Sequence, residues 1–144
     1  MSYIIGAIGA PDAHLLPLIQ SYEKRLSGSL KWHCQKKPGT LKDQTAFLQK
    51  VMDKAGHIIA LDETGDALNS IELATHIQQQ QSQGHVPVAF LIGGAEGFDP
   101  IIRQQAHKLI SFGKLTWPHQ MVKLMLVEQI YRAQTIMAGH PYHK

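Results

Sequence analysis

Three groups of residues in this chain have the types and spacing to carry chemistry. The first is Gly93-Gly94-Ala95-Glu96-Gly97, where the missing Cβ atoms let a ligand approach the backbone closely. Its spacing is not the Rossmann G-x-G-x-x-G, and no Lys-Ser/Thr follows to make a P-loop, so cradling a nucleotide phosphate is not the chemistry it points to. The second is Glu128 with Arg132, four apart and so on one face of a helix, where a carboxylate can orient a guanidinium. Pairs of this kind also occur on surfaces with no function and little energetic weight. The third is histidine: nine are present, but they are scattered, and His140-Pro141-Tyr142-His143 could bind a metal only with ligands from elsewhere. No His/Cys/carboxylate cluster has zinc spacing, so no metal is expected. Cys34 is the sole cysteine. It has no disulfide partner and reads as a small buried hydrophobe rather than a nucleophile.

Charge is distributed unevenly around these residues. The net charge of +3 combines an acidic first hundred residues with a basic remainder. From position 101 onward, Arg103, Lys108, Lys114, Lys123, Arg132 and Lys144 face the single acid Glu128. A basic C-terminal third suits an anionic partner, with phosphate the commonest, although a merely solvated surface has the same composition.

The elements that must position these residues follow from periodicity. Residues 2–9 read as a β-branched, apolar strand closed by glycine. A helix follows from Pro11-Asp12 to about position 27, with Leu15, Leu18, Ile19, Tyr22 and Leu26 at helical spacing. Residues 30–35 alternate as a second strand, and 36–39 form a basic turn. Thr40 N-caps a helix to about position 55 with Ala46, Phe47, Val51 and Ala55 on its buried side. Residues 57–62 form a short strand and 63–65 a turn. Asn69 with Glu72 makes a capping box for a helix reaching Gly84. Residues 86–92 are the most apolar strand, broken by the glycines. Pro100 starts a helix to about 111, residues 115–117 form a brief strand, and Pro118 leads into a helix to about 138. Residues 139–144 form a tail.

Strands alternating with helices predict an α/β fold with a mostly parallel sheet, in one domain spanning residues 1–144. With 44% hydrophobic and 17% charged residues, the chain can fold without staples. No apolar run approaches the roughly 18 residues needed to span a bilayer, and the N-terminus lacks a signal-peptide pattern. A soluble, cytoplasmic protein is therefore expected. Open parallel sheets bind ligands beyond the carboxyl ends of their strands, which singles out the segments after Leu61, after Ile92, and at 111–118. The final helix carries apolar residues nearly all round, from Met121 to Met137. Such a helix needs partners on both sides, and either a second copy of the chain or a fully enclosing core would supply them.

The segment from Leu91 to Gly97, the 111–118 segment, and the run from His119-Gln120-Met121 through Glu128-Gln129-Ile130-Tyr131-Arg132-Ala133 to Pro141-Tyr142-His143-Lys144 together resemble the RlmH family. Its members are small SPOUT-class methyltransferases that methylate N3 of a pseudouridine in 23S ribosomal RNA. The likeness is near-continuous from about position 58 onward and looser before it, and the 36–40 stretch looks shorter than is usual. The resemblance implies a SPOUT-type sheet with a C-terminal trefoil knot, an exception to the rule against knotted connections. It further implies a homodimer holding S-adenosyl-L-methionine in the knot loops. By motif position, the cofactor contacts would be Leu61, Gly93, Phe112, Gly113, Lys114, Leu115, Thr116 and Trp117. Gly113 stands where the family more often has serine, and Lys123 where it often has arginine; lysine keeps the charge but loses the bidentate fork.

Under that resemblance, the reaction must align a methyl donor with N3, remove an imide proton and hold RNA. His119, Arg132, Tyr142 and His143 are the expected catalytic residues, with Glu128 orienting Arg132. Tyr142 is expected to stack on or hydrogen-bond the target nucleotide. Arg103, Lys123, Arg132 and Lys144 are expected to contact RNA phosphates. A tail this short most easily reaches the pocket of a partner subunit, giving a composite site. Two other readings remain: a non-catalytic ribosome- or RNA-binding module, which leaves the glycine loop unexplained, and a nucleotide-dependent α/β enzyme, which lacks a phosphate fingerprint.

Overall fold

The computed structural model of the chain describes residues Met1–Lys144. Five strands, β1 (Ser2–Ile8), β2 (Ser29–Gln35), β3 (His57–Asp66), β4 (Val88–Ile92) and β5 (Lys108–Ile110), form one sheet in the order β2-β1-β4-β3-β5. Every pairing is parallel. The helices are α1 (Leu16–Glu23), α2 (Leu41–Met52), α3 (Ser70–Ser82), α4 (Pro100–Gln105) and α5 (His119–Ala138). None of them is long and apolar enough to cross a membrane.

A parallel sheet must be covered on both faces, so its central strands read as continuous apolar runs. All of β4 is buried, as is β1 after Ser2. Alternation divides their side chains between two cores. Tyr3, Ile5, Ala7, Ile59, Val88 and Phe90 pack with Ile19 of α1, Leu73 and Ile77 of α3, and Leu126, Val127, Ile130 and Ala133 of α5. Ile4, Ile8, Ile58, Ala89 and Leu91 face the other way, onto Leu48, Val51 and Met52 of α2 and Ile102 of α4. Gly6 lets α2 approach this closely, since a Cβ there would stand 2.9 Å from Val51 Cγ1.

Local signals fix several boundaries. Thr40 caps α2 in a reciprocal box with Asp43, and Asn69 caps α3 in another with Glu72. The buried face of α2 is turned from the one expected: Gln44, Leu48, Val51 and Met52 are enclosed. The first helix begins at Leu16 rather than at Pro11, with Pro17 in its first turn.

The larger departures lie around β5. The helix expected from Pro100 to about 111 stops at Gln105. Ala106 turns extended, and His107 then bonds Ile58 twice, its N–H donating to Ile58 O and its Nδ1 accepting the Ile58 N–H. Residues 108–110 therefore join the sheet beside β3. The expected turn at 63–65 is instead a continuation of β3, which bulges between Leu61 and Asp66 and returns to Ile110. Gly65 makes this crossing possible, because a Cβ there would lie 2.6 Å from the backbone of Leu109 and Ile110. The brief strand expected at 115–117 is a loop.

Candidate functional site

The carboxyl ends of β3, β4 and β5 open into a cleft of about 300 Å³. Its walls come from the three segments singled out by strand order: Leu61, Asp62 and Glu63; residues 92–98; and Ile110 through Gly113 with Leu115, Thr116 and Trp117. His119 and Val122, at the start of α5, close one side. Leu61, Gly93, Phe112, Gly113, Leu115, Thr116 and Trp117 are thus brought together, whereas Lys114 is exposed and lies outside the wall.

The 111–117 loop is shaped by its own hydrogen bonds. Ser111 Oγ donates to Gly113 O at 2.8 Å and accepts the Gly113 N–H at 3.1 Å, and Trp117 Nε1 donates to Phe112 O at 3.3 Å. Gly113 has φ +107, a backbone conformation that favours glycine, and a Cβ there would meet no neighbour. The glycine loop is closed by Gly97 N–H donating to Gly94 O at 3.0 Å. The N–H groups of Gly93, Ala95 and Glu96 donate to no protein acceptor. A cleft with apolar walls and a few unused backbone donors is typical of small-ligand sites.

Asp62, whose side chain is 4% exposed, anchors the floor. It accepts from Arg103 Nε at 3.1 Å, from the Thr64 N–H and from the Thr64 hydroxyl. Burial pushes its pKa up, but the hydrogen bonds from Thr64 and Arg103 outweigh that and hold the carboxyl below its ordinary value. Gln120 ties the approach to α1 onto α5: its Oε1 accepts the Asp12 N–H and its Nε2 donates to Ala10 O.

The tail residues gather elsewhere. Glu128 Oε1 accepts from Arg132 NH2 at 2.6 Å, from Arg132 Nε at 3.0 Å and from Tyr142 Oη at 3.0 Å. Arg132 NH1 lies 3.1 Å from His143 Nδ1, and the guanidinium sits 4.8 Å from the centre of the Tyr142 ring. The arginine can only donate, so His143 Nδ1 is the acceptor here. Burial, reinforced by Tyr22 and Glu128, pushes the Tyr142 hydroxyl up to about 12. Glu128 and His143 belong to a second cavity of about 840 Å³, walled by Leu18, Tyr22, Leu68, Ile71, Leu124 and Met125. The two cavities share the wall of residues 110–113. Within one chain, then, His119 stands at the glycine cleft, while Arg132, Tyr142 and His143 stand behind that wall.

Of the four residues expected to contact phosphates, one is packed and two are paired. Lys123 is 1% exposed, with Nζ packed towards Gly9. Burial lowers its pKa, opposed only by Cys34. Its packed stem leaves little of the residue to meet a phosphate on the surface. Arg103 and Arg132 already pair with Asp62 and Glu128. Of the four residues, Lys144 alone is exposed with no ion partner. The sequence reading missed Asp62, Gln120 and Gln44. The acid at the end of a strand was the one signal for Asp62, and nothing local marked the two glutamines.

The chain matches the family described as "Predicted SPOUT methyltransferase" over residues 1–143. It belongs to the SPOUT methyltransferase family. Among its relatives is the "Ribosomal RNA large subunit methyltransferase H" of Mesorhizobium japonicum, 47% identical over 103 residues, which are 72% of this chain and 64% of that protein. The matched part thus spans somewhat less than two thirds of that relative. Solved methyltransferase structures share the fold at low identity. A probable methyltransferase from Bordetella pertussis superposes with a TM-score of 0.63 at 10% identity, over 92% of this chain and 95% of that one. The SpoU methyltransferase AviRb of Streptomyces viridochromogenes, solved in complex with AdoMet, gives 0.50 at 11% identity, over 95% and 61%.

Proposed function

We propose that this SPOUT family member uses S-adenosylmethionine to methylate large-subunit ribosomal RNA, at N3 of a pseudouridine, as a homodimer with a trefoil-knotted cofactor cleft. The observation that carries the reading is the convergence of three strand-end segments on one cleft with free backbone donors. The name of the Mesorhizobium japonicum relative supports the ribosomal substrate, and the AdoMet complex of AviRb supports the cofactor.

The cleft suits that cofactor chemically. Leu61, Leu115, Trp117 and Val122 offer apolar surface to a purine, and the unused N–H groups of the 93–96 segment offer donors to polar atoms. Residues of the 111–117 loop and Gly93 would hold it. When bound, the cofactor supplies an electrophilic methyl group on a sulfonium.

The chain's own task is to present the base and manage its imide proton. Glu128 holds the Arg132 guanidinium rigid, so that a positive charge waits where the base becomes anionic, without reorganisation cost. His143, with Nδ1 engaged by Arg132, carries its proton on Nε2 and donates a hydrogen bond rather than taking the proton. His119, exposed at the cleft mouth, is the available acceptor. In one chain the tail and the cleft lie on opposite sides of the 110–113 wall, which favours a site completed by a second copy. In the basic C-terminal third, Lys144 and Lys114 are the exposed cations without an ion partner and are the ones offered to phosphates.

Calorimetry with S-adenosylmethionine, followed by methylation assays on free large-subunit RNA and on intact ribosomes, tests this reading. Removal of residues 142–144 should abolish turnover and leave donor affinity unchanged. Undiminished turnover, or absence of donor binding by the intact protein, would refute it.

A further inference from the structure

The 93–97 loop rests on α2 through one side chain. Gln44 is 7% exposed. Its Oε1 is enclosed and accepts no hydrogen bond, the sole such side-chain atom in the protein. That oxygen lies 3.0 Å from the point where a Gly94 Cβ would stand, with Ile8 Cγ2 also in contact there. In the same loop the backbone N–H groups of Gly93, Ala95 and Glu96 have no acceptor, while Gly94 bridges to Gly97. A buried acceptor left unpaired is destabilising, and the loop packed against it carries N–H groups without acceptors.

We propose that Gln44 is a positioning residue for the donor-binding loop, its side-chain oxygen accepting the backbone N–H of Ala95 when the loop closes on a bound ligand. This rests on the reading of the glycine cleft as the S-adenosylmethionine site. The remaining free N–H groups then face the ligand. The absence of side chains at Gly93 and Gly94 makes the closure sterically open, and Phe98 behind Gly93, 3.2 Å from where its Cβ would lie, sets how far the loop can retreat. Part of the donor's binding energy is thus the completion of a hydrogen bond beneath it, remote from the reacting atoms.

The test compares wild type with Gln44→Met, which keeps volume and removes the acceptor, and Gln44→Glu, which keeps an acceptor. Calorimetry with S-adenosylmethionine should show about tenfold weaker binding for Gln44→Met, equivalent to about 1.4 kcal/mol. Gln44→Glu should recover most of it. The donor-free melting temperature of Gln44→Met should equal or exceed that of wild type, because no unpaired acceptor remains. Hydrogen exchange on the wild-type protein should show Ala95 slowing when donor is added, a readout that requires no variant to fold. Equal donor affinity in wild type and Gln44→Met, or loop amides that exchange at the same rate with and without donor, would overturn the role of Gln44 while leaving the cofactor assignment standing. Failure of the wild-type protein to bind donor would overturn that assignment, and this inference with it.

Discussion

Acid should destabilise this protein through a histidine stack at the amino end of β3. His57 is 6% exposed. Its Nε2 lies 2.9 Å from His76 Nε2, and its ring stacks on His107 at 5.0 Å. Two ring nitrogens facing each other can share one proton but not hold two. His107 Nδ1 must also stay unprotonated to accept the Ile58 N–H. Burial, then the neighbouring His76 and His107, and after them His85 and Lys108, lower the His57 pKa from 6.5 to about 4. The unfolded chain therefore takes up a proton that the folded protein refuses. The stabilisation is complete above pH 6.5 and drains away as the pH falls towards 4. At 1.36 kcal/mol per unit, the full loss is about 3 kcal/mol, of which about 2 kcal/mol is gone by pH 5. Urea unfolding of wild type and His57→Gln at pH 7.5 and pH 5.0 measures it. Wild type should lose about 2 kcal/mol more than the variant between the two conditions. His76, lowered by burial and Lys108, adds a loss of the same sign. Equal losses in the two proteins, or a His57 NMR titration centred near 6.5, would refute the reasoning.

Two further outcomes follow from charges placed by the fold. Lys123→Met removes a buried lysine that has no carboxylate partner, so its urea midpoint at pH 7 should rise; the salt dependence of RNA binding should keep its slope, whereas a slope lower by about one would mark Lys123 as a phosphate contact. Asp62→Asn leaves Arg103 without its charge partner and should cost about 1–3 kcal/mol at pH 7. Because the Asp62 pKa is depressed in the folded state, that deficit should shrink as wild type itself loses the contribution below pH 4, and a deficit constant with pH would contradict the assignment.

What could be read from the sequence was what depends on neighbours along the chain. The apolar runs of β1 and β4, the caps at Thr40 and Asn69, and the three strand-end segments are local signals. What escaped was set by partners far away. Residues 108–110 became β5 because Ile58 captured His107 across 49 positions. Glu63-Thr64-Gly65 looked like a turn, yet the small residue served to let β3 cross Ile110. A lysine among apolar residues of a helix resembles a surface charge until the packing of α5 against Gly9 is known. Asp62 and Arg103, 41 positions apart, met only through the sheet order. The residues expected at the site divided into two cavities for the same reason: motif spacing specifies types and order but not which side of the 110–113 wall each side chain occupies.

The place of α5 in the core has a consequence for biosynthesis. Leu126, Val127, Ile130 and Ala133 seal the same apolar face as Tyr3, Ile5 and Ile19, and Gln134 holds the backbone of Ser27 at both its N–H and its C=O. A nascent polypeptide halted before position 119 leaves that face of the sheet only partly covered, by α1 and α3. Elongation through this stretch is thus a dangerous interval for self-association, and nonsense or frameshift lesions late in the coding region should yield degraded rather than merely inactive product.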